Sequence, residues 1–410
     1  IAGAGAVGRR DAAATLLGDL LVGDDDGSEA STLLATAVVD GGGVEALLDM
    51  VASGSAPGAY ALAVLVERDA AAGVAVAEAE AGGRGAFASL LDVARHHEGD
   101  GSFNGTRALC ALMRRTDESV AVLAAEGGVA ALLGVLRSDG EDARPRAHAA
   151  RALGLLAVTH SEDVASQGGV EALLAVLGRD DDARGHAMRA LVGLLRQRPA
   201  SAIVVVDVGG LATLLDVARS DDGCRPCAIE AIAAAMEHHA AAAAFVATTG
   251  GIAVLLDALR DGSSDASMCA ACGALIALME GRAESSNDVA AGGGVVALLD
   301  GVRGGSSIVR LNALAALGSL MMMNGAAAAT ATEEGGAEAL LGAVRSDDAR
   351  LAAQAAGALA VMMQRHEASA DRVVAGDGVV ALLSILQRDG VLCRNACMAL
   401  RVLVRGDAPS

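Results

Sequence analysis

The chain has 410 residues, 53% of them hydrophobic and 1% aromatic, and a formal net charge of −20. So acidic a balance argues against general nucleic-acid binding, because neutralising phosphates takes clustered basic side chains. No apolar run is long enough to cross a bilayer, so no integral membrane segment is expected. With no Trp, one Tyr and three Phe, the core must be built from Leu, Val, Ala and Met.

The sequence starts at Ile1, so the native start, with any targeting or lipidation signal on it, is expected to lie before it. Gly3-Ala4-Gly5-Ala6-Val7-Gly8 matches G-x-G-x-x-G. A dinucleotide site needs a strand before that motif and a βαβ unit around it. Only Ile1 and Ala2 precede it, and no alternating pattern follows. Arg9, Ala12 and Leu16 instead fit the helix pattern described below, as the remnant of a truncated unit over residues 1–27.

From Gly42-Gly43-Val44 onward one phrase recurs: two glycines, an apolar residue, then a Leu-Leu pair three positions later. The apolar residue falls at Val44, Phe87, Val129, Val170, Leu211, Ile252, Val295, Ala337 and Val379, at intervals of 41 to 43 residues. A period of this length marks a solenoid, whose units bury their apolar faces only by stacking. Residues 28–410 are therefore expected to form nine repeats in one continuous domain. Such arrays hold other molecules along an extended surface, which favours binding over catalysis.

Each repeat is predicted to hold three helices. Val129, Leu132, Leu133 and Leu136 are spaced as one face of an amphipathic helix, and the glycines before it suit a turn needing positive φ. A polar loop follows, such as Arg179 to Asp182, whose acidic residues are placed to cap the next helix. That third helix carries Ala four residues before a Leu and a second apolar residue three after it, as in Ala149, Leu153 and Leu156 or Ala313, Leu317 and Leu320. A shorter first helix, such as Ser119 to Glu126, leads into the next glycine pair.

Over essentially its whole length the sequence resembles the armadillo-repeat family. Val309-Arg310-Leu311-Asn312-Ala313-Leu314-Ala315-Ala316-Leu317-Gly318 is similar to the family's third helix. Ala125-Glu126-Gly127-Gly128-Val129-Ala130-Ala131-Leu132-Leu133 is similar to its first-to-second helix junction. The resemblance implies an all-α fold, an α-α superhelix with three helices per repeat of about 42 residues. It also implies a groove lined by the third helices. The family includes transport receptors, junction and signalling scaffolds, vacuolar adaptors and ubiquitin-ligase substrate modules.

Counted from the key Leu of the third helix, positions −5, −2 and +2 share a face. Importin-α-like members carry Trp at −2 and Asn at +2 and grip a basic peptide there. This chain has no Trp, and its +2 residues run from Val64, Ala111, Leu155 and Gly193 to Val402 with no Asn among them. Position −2 is instead Arg107, Arg151 and Arg189 in three consecutive repeats, with Asn104, His148 and His186 at −5. Arg forks suit carboxylate or phosphate groups, so an acidic or phosphorylated segment is the expected occupant. The alternative is that these are ordinary solvated arginines in a chain whose basic residues are all Arg. In the later repeats Met321-Met322-Met323 and Met362-Met363 are read as core filler rather than as a binding strip.

Other motifs that suggest chemistry find a place in the repeat. Cys224, Cys227, Cys269 and Cys272 form two C-x-x-C pairs, displaced from each other on the third-helix template, so a zinc site is not expected. Cys110, Cys393 and Cys397 are read with them as small apolar residues. His96-His97 and His238-His239 are adjacent on helices and cannot clamp a metal. Seven cysteines without a scaffold spacing fit a reducing, intracellular setting, the cytoplasm or alternatively the nucleus.

The sequence thus predicts a non-catalytic interaction scaffold or adaptor for a protein or peptide partner, with no catalytic residues, cofactor or metal. The runner-up is an importin-α-like transport adaptor for basic cargo. An enzyme using a nucleotide at the N-terminal glycines is the competing class.

Overall fold

The computed structural model describes residues 2–22, 29–81, 84–96, 99–179, 182–220, 223–262, 264–280, 282–386 and 393–406. Those residues are almost entirely helical, in 28 helices. They divide into two compact units, Ile1–Val204 and Val205–Ser410.

The first unit opens with α1 (Ala2–Val22). Repeat one follows with α2 (Glu29–Asp40), α3 (Gly43–Ala52) and α4 (Ala56–Arg68), and repeat two with α5 (Ala70–Glu78), α6 (Ala86–His96) and α7 (Asp100–Met113). Repeat three has α8 (Asp117–Ala125), α9 (Gly128–Leu136) and α10 (Arg144–Thr159), and repeat four α11 (Ser161–Ser166), α12 (Gly169–Leu177) and α13 (Ala183–Gln197). The division between units falls inside α14 (Ser201–Asp207), the first helix of repeat five.

The second unit continues with α15 (Gly210–Arg219) and α16 (Arg225–His238), then α17 (Ala240–Thr248), α18 (Gly251–Asp261) and α19 (Asp265–Met279). Repeat seven has α20 (Ala283–Ala291), α21 (Gly294–Gly304) and α22 (Ser307–Met323), and repeat eight α23 (Gly325–Glu333), α24 (Gly336–Val344) and α25 (Ala349–Arg365). Repeat nine has α26 (Ala368–Ala375), α27 (Gly378–Leu386) and α28 (Cys393–Gly406).

Within each unit, like packs on like. Third helices α1, α4, α7, α10 and α13 form one layer, and α16, α19, α22, α25 and α28 another. Second helices α3, α6, α9 and α12 line up beside the first layer, and α15, α18, α21, α24 and α27 beside the second. Each unit is an α-helical repeat stack. Ala149, Leu153 and Leu156, like Ala313, Leu317 and Leu320, are fully buried between layers. Each such Leu contributes about 1.5–3 kcal/mol relative to leaving it exposed.

The glycine pair is explained by two different constraints. The first glycine turns the chain between first and second helices, bending α8 from α9 by 85°. Its φ lies between 72° and 82° at Gly42, Gly127, Gly168, Gly209, Gly250, Gly293 and Gly335, a region that residues with a Cβ rarely adopt. The second glycine is helical but crowded. A Cβ on Gly128 would lie 2.6 Å from the Leu123 carbonyl oxygen, and on Gly169 2.5 Å from that of Val164. Two repeats depart. In repeat two Gly85 and Ala86 stand in the pair's places before Phe87, and a two-residue antiparallel ladder, β1 (Glu80–Ala81) with β2 (Arg84–Gly85), stands at the turn. In repeat nine Asp377 takes the left-handed position with φ 59°, the one non-glycine among the described residues to do so.

Two local expectations change. The N-terminal helix is in a different register: Ala14, Gly18 and Leu21 are buried against α4, while Leu16 is 63% exposed. An Ala-rich helix offers the i, i+4, i+7 pattern twice, and Tyr60 decides between them. Its ring lies where a Cβ on Gly18 would be, 2.4 Å away. The acidic loops cap less than expected. Asp348 accepts from the Arg350 and Leu351 amides, but Asp182 makes no side-chain cap. Ser55 and Ser306 cap α4 and α22 instead.

Met321, Met362 and Met363 are buried as core filler, whereas Met322 and Met323 are exposed. Cys110 and Cys272 are buried, which pushes their thiols up to about 11 and about 12. Cys397 is exposed and is not a core residue. His238 ends α16 and His239 follows it; His96 ends α6 and His97 lies outside the described residues.

Candidate functional site

Repeats two to four carry the predicted surface wholly within the first unit, on α7, α10 and α13. Arg151 and Arg189 occupy equivalent positions on neighbouring helices α10 and α13. Arg151 is half-buried, and no hydrogen bond or ion pair ties its guanidinium to the described residues. Arg189 is exposed and donates from Nη2 to His186 Nδ1 at 2.9 Å, leaving the imidazole proton on Nε2. Burial first, then the Arg189 and Arg151 charges, hold His186 below its ordinary pKa, so it is neutral at pH 7.

His148 lies beneath these groups. Its ring is tilted against Phe103 with centroids 5.4 Å apart, and Nδ1 is buried without a hydrogen-bond partner. Desolvation, reinforced by Arg107 and Arg151, pushes it down to about 4. His148 is therefore uncharged at neutral pH.

The other two predicted residues are engaged. Asn104 is 7% exposed, and its Nδ2 donates to the Ala56 carbonyl at 3.4 Å. It ties α7 to α4 and lies under the surface. The equivalent Asn395 donates to Ala353 in the same way at 2.9 Å. Arg107 is held as a fork by Glu67 of the preceding third helix, Nε to Oε1 at 3.1 Å and Nη2 to Oε2 at 2.6 Å. Its guanidinium also stands 5.9 Å from the Tyr60 ring centroid, and the Glu67 bonds raise its pKa further. Tyr60 in turn donates to Asp19 at 3.0 Å; burial, then Asp19, raises the phenol.

Of the three predicted rungs, then, two are open and one is closed. Tyr60 and Glu67 were missed by the sequence reading. Tyr60 stands at the same −2 position in repeat one, so extending the alignment one repeat backwards would have found it. Beside the closed rung Glu67, Ala111, Arg114 and Arg115 line a recess of about 290 Å³.

Most other arginines near helix ends have a structural task. In six repeats the residue eight after the recurring apolar position is an Arg that donates to the C-terminal carbonyls of the next repeat's first helix. Arg95 reaches Gly127 at 3.1 Å, Arg137 reaches Gln167 and Gly168 at 3.0 Å, and Arg219 reaches Thr249 at 3.3 Å. Arg260 and Arg345 reach Gly292 and Gly376 at 2.5 Å, and Arg303 reaches Glu334. These carbonyls lack intrahelical donors and carry the negative end of the helix dipole. A second set joins third helices, Arg68 to Val22 and Arg115 to Val66 and Glu67.

The signals suggestive of chemistry resolve as follows. Gly3, Gly5 and Gly8 lie inside α1, not in a strand-to-helix loop. Cys224 and Cys227 lie at the start of α16, and Cys269 and Cys272 lie on α19. No group of three or more His, Cys, Asp or Glu among the described residues could hold a metal. No single helix among them is long and apolar enough to cross a membrane.

Fold and surface together define an α-helical repeat protein. No family model matches the chain, and no curated protein matches it. Among solved structures, an engineered protein from the Northeast Structural Genomics Consortium is similar over 96% of this chain and 95% of its own, with 25% identity and a TM-score of 0.84. A second engineered protein from that consortium is similar over 58% of this chain and 98% of its own, with 24% identity and a TM-score of 0.54.

Proposed function

We propose that this protein is a non-catalytic interaction scaffold of the armadillo-repeat type, holding an extended acidic or phosphorylated segment across the third helices of repeats three and four. One observation carries the reading: among the described residues Arg151 has no anionic partner, and Arg189 beside it meets only a neutral imidazole. In this acidic chain most arginines near helix ends are spent on carbonyls of neighbouring repeats. A guanidinium left without a counter-charge, half-buried and flanked by a second one, attracts carboxylate or phosphate groups. The +2 positions nearby, Leu155 and Gly193, leave the backbone of such a segment room and no competing polar group.

The reading is tested by affinity capture and fluorescence anisotropy with an acidic peptide. Arg151→Glu with Arg189→Glu is expected to abolish capture while the helical melt is retained. Unchanged capture by the doubly reversed protein defeats the reading. A basic peptide serves as the counter-test, because importin-α-like transport of basic cargo requires its capture and the two free arginines favour its rejection.

A further inference from the structure

Resting on that acidic-segment reading, we infer that the site measures spacing: it takes a segment in polyproline II conformation with two acidic groups three residues apart, and Glu67 closes the third rung. The open guanidinium groups, Arg151 and Arg189, occupy equivalent positions on packed neighbours α10 and α13. Packed helices of this kind lie about 8–10 Å apart. A segment crossing them must present acidic groups at that interval and on one side.

Chain geometry then selects the conformation. In a β-strand, side chains on one face recur every second residue, at about 7 Å or about 13 Å, so neither interval fits. Residues three apart in a strand span about 10 Å but point to opposite faces. Polyproline II repeats every three residues with a rise of about 3.1 Å, which brings i and i+3 to the same side about 9 Å apart. That conformation needs no backbone partner, which suits a surface made of helices α10 and α13, whose own backbone groups are bonded within the helix.

Glu67 sets where the segment stops. Its carboxylate already occupies both faces of the Arg107 fork at 3.1 and 2.6 Å, the geometry a ligand carboxylate would adopt. Without it, Arg107, Arg151 and Arg189 would form a three-rung ladder. With it, an acidic group on the partner at the third rung meets like charge from Glu67.

The test is fluorescence anisotropy on the full chain, using labelled peptides with two glutamates separated by one, two or three residues. The i, i+3 peptide is expected to bind at least about fivefold more tightly than the others. Prolines at the two intervening positions are expected to keep or improve that affinity. Glu67→Gln is expected to leave the two-acid peptide unchanged and to tighten a peptide with acids at i, i+3 and i+6 by about threefold or more. Thermal melts of each variant confirm that the fold is kept. Binding with no preference among spacings, loss of binding on proline substitution, or no gain in Glu67→Gln overturns this inference and leaves the acidic-segment reading standing. No binding by any acidic peptide overturns both.

Discussion

Arg137, just past the end of α9, donates from Nη2 to two carbonyls of the next repeat, Gln167 and Gly168, each at 3.0 Å. Those oxygens close the C-terminal end of α11, so one side chain satisfies a helix terminus and fixes the register of two repeats. Removing it by Arg137→Met is expected to lower stability by about 1 kcal/mol, the lower end for a charged donor because the site is exposed. Lys at this position should restore less than half, since its strongly hydrated ammonium on a flexible stem is held less firmly against the two carbonyls than the planar guanidinium. Urea midpoints of the three proteins decide it.

The two glycines of a repeat should fail for different reasons. Gly127→Ala forces a Cβ onto a backbone at φ 76° and is expected to cost about 1–2 kcal/mol. Gly128→Ala drives a Cβ to 2.6 Å from the Leu123 carbonyl, which belongs to fixed helix backbone. It should cost about 3 kcal/mol or more. Equal losses in thermal melts would refute the distinction.

Asp377 offers the reverse case. It adopts the left-handed turn at φ 59° that glycine fills in seven other repeats. Asp377→Gly is expected to raise stability by about 0.5–1 kcal/mol, the relief of strain less the added freedom of the unfolded chain. A lowered urea midpoint would show that the Asp side chain offsets its own strain.

His148 gives a pH signature. Its folded-state value is pushed down to about 4 from 6.5, so the unfolded chain takes up the proton first. The stability conferred by the neutral ring is full above about pH 6.5 and falls as pH drops towards 4. After allowance for partial exposure, the loss attributable to this one ring is about 1 kcal/mol. His148→Gln should flatten the decline across that window relative to the unaltered chain. Parallel curves would mean that the ring is solvated.

The recurring Gly-Gly-h-x-x-Leu-Leu phrase made the helical triplets legible in the sequence, because stacking demands the same residue at the same place in every repeat. The glycine needing positive φ was legible for the same reason. Its neighbour was not, since crowding against Leu123 or Val164 arises only once the chain has folded back. The site was half legible. Position −2 holds Arg189 exposed and Arg151 half-buried, while the fate of Arg107 depended on Glu67, a residue 40 positions away on another helix. Asn104 lay at a groove position by count but is buried because its amide reaches Ala56. The inter-repeat arginines were visible at a constant offset from the glycines; nothing in a single helix revealed that their acceptors sit in the next repeat.

In the first unit those arginines lie at the ends of second helices, where Arg95 ties repeat two to repeat three and Arg137 ties repeat three to repeat four. Across the layer of third helices, no hydrogen bond or ion pair among the described residues ties Arg151 or Arg189 to a neighbouring helix. There α10 and α13 are held to each other by the packing of their apolar faces. A segment laid over α10 and α13 would therefore add the charged cross-tie that the arginines at the ends of second helices already supply between repeats two and three and between three and four.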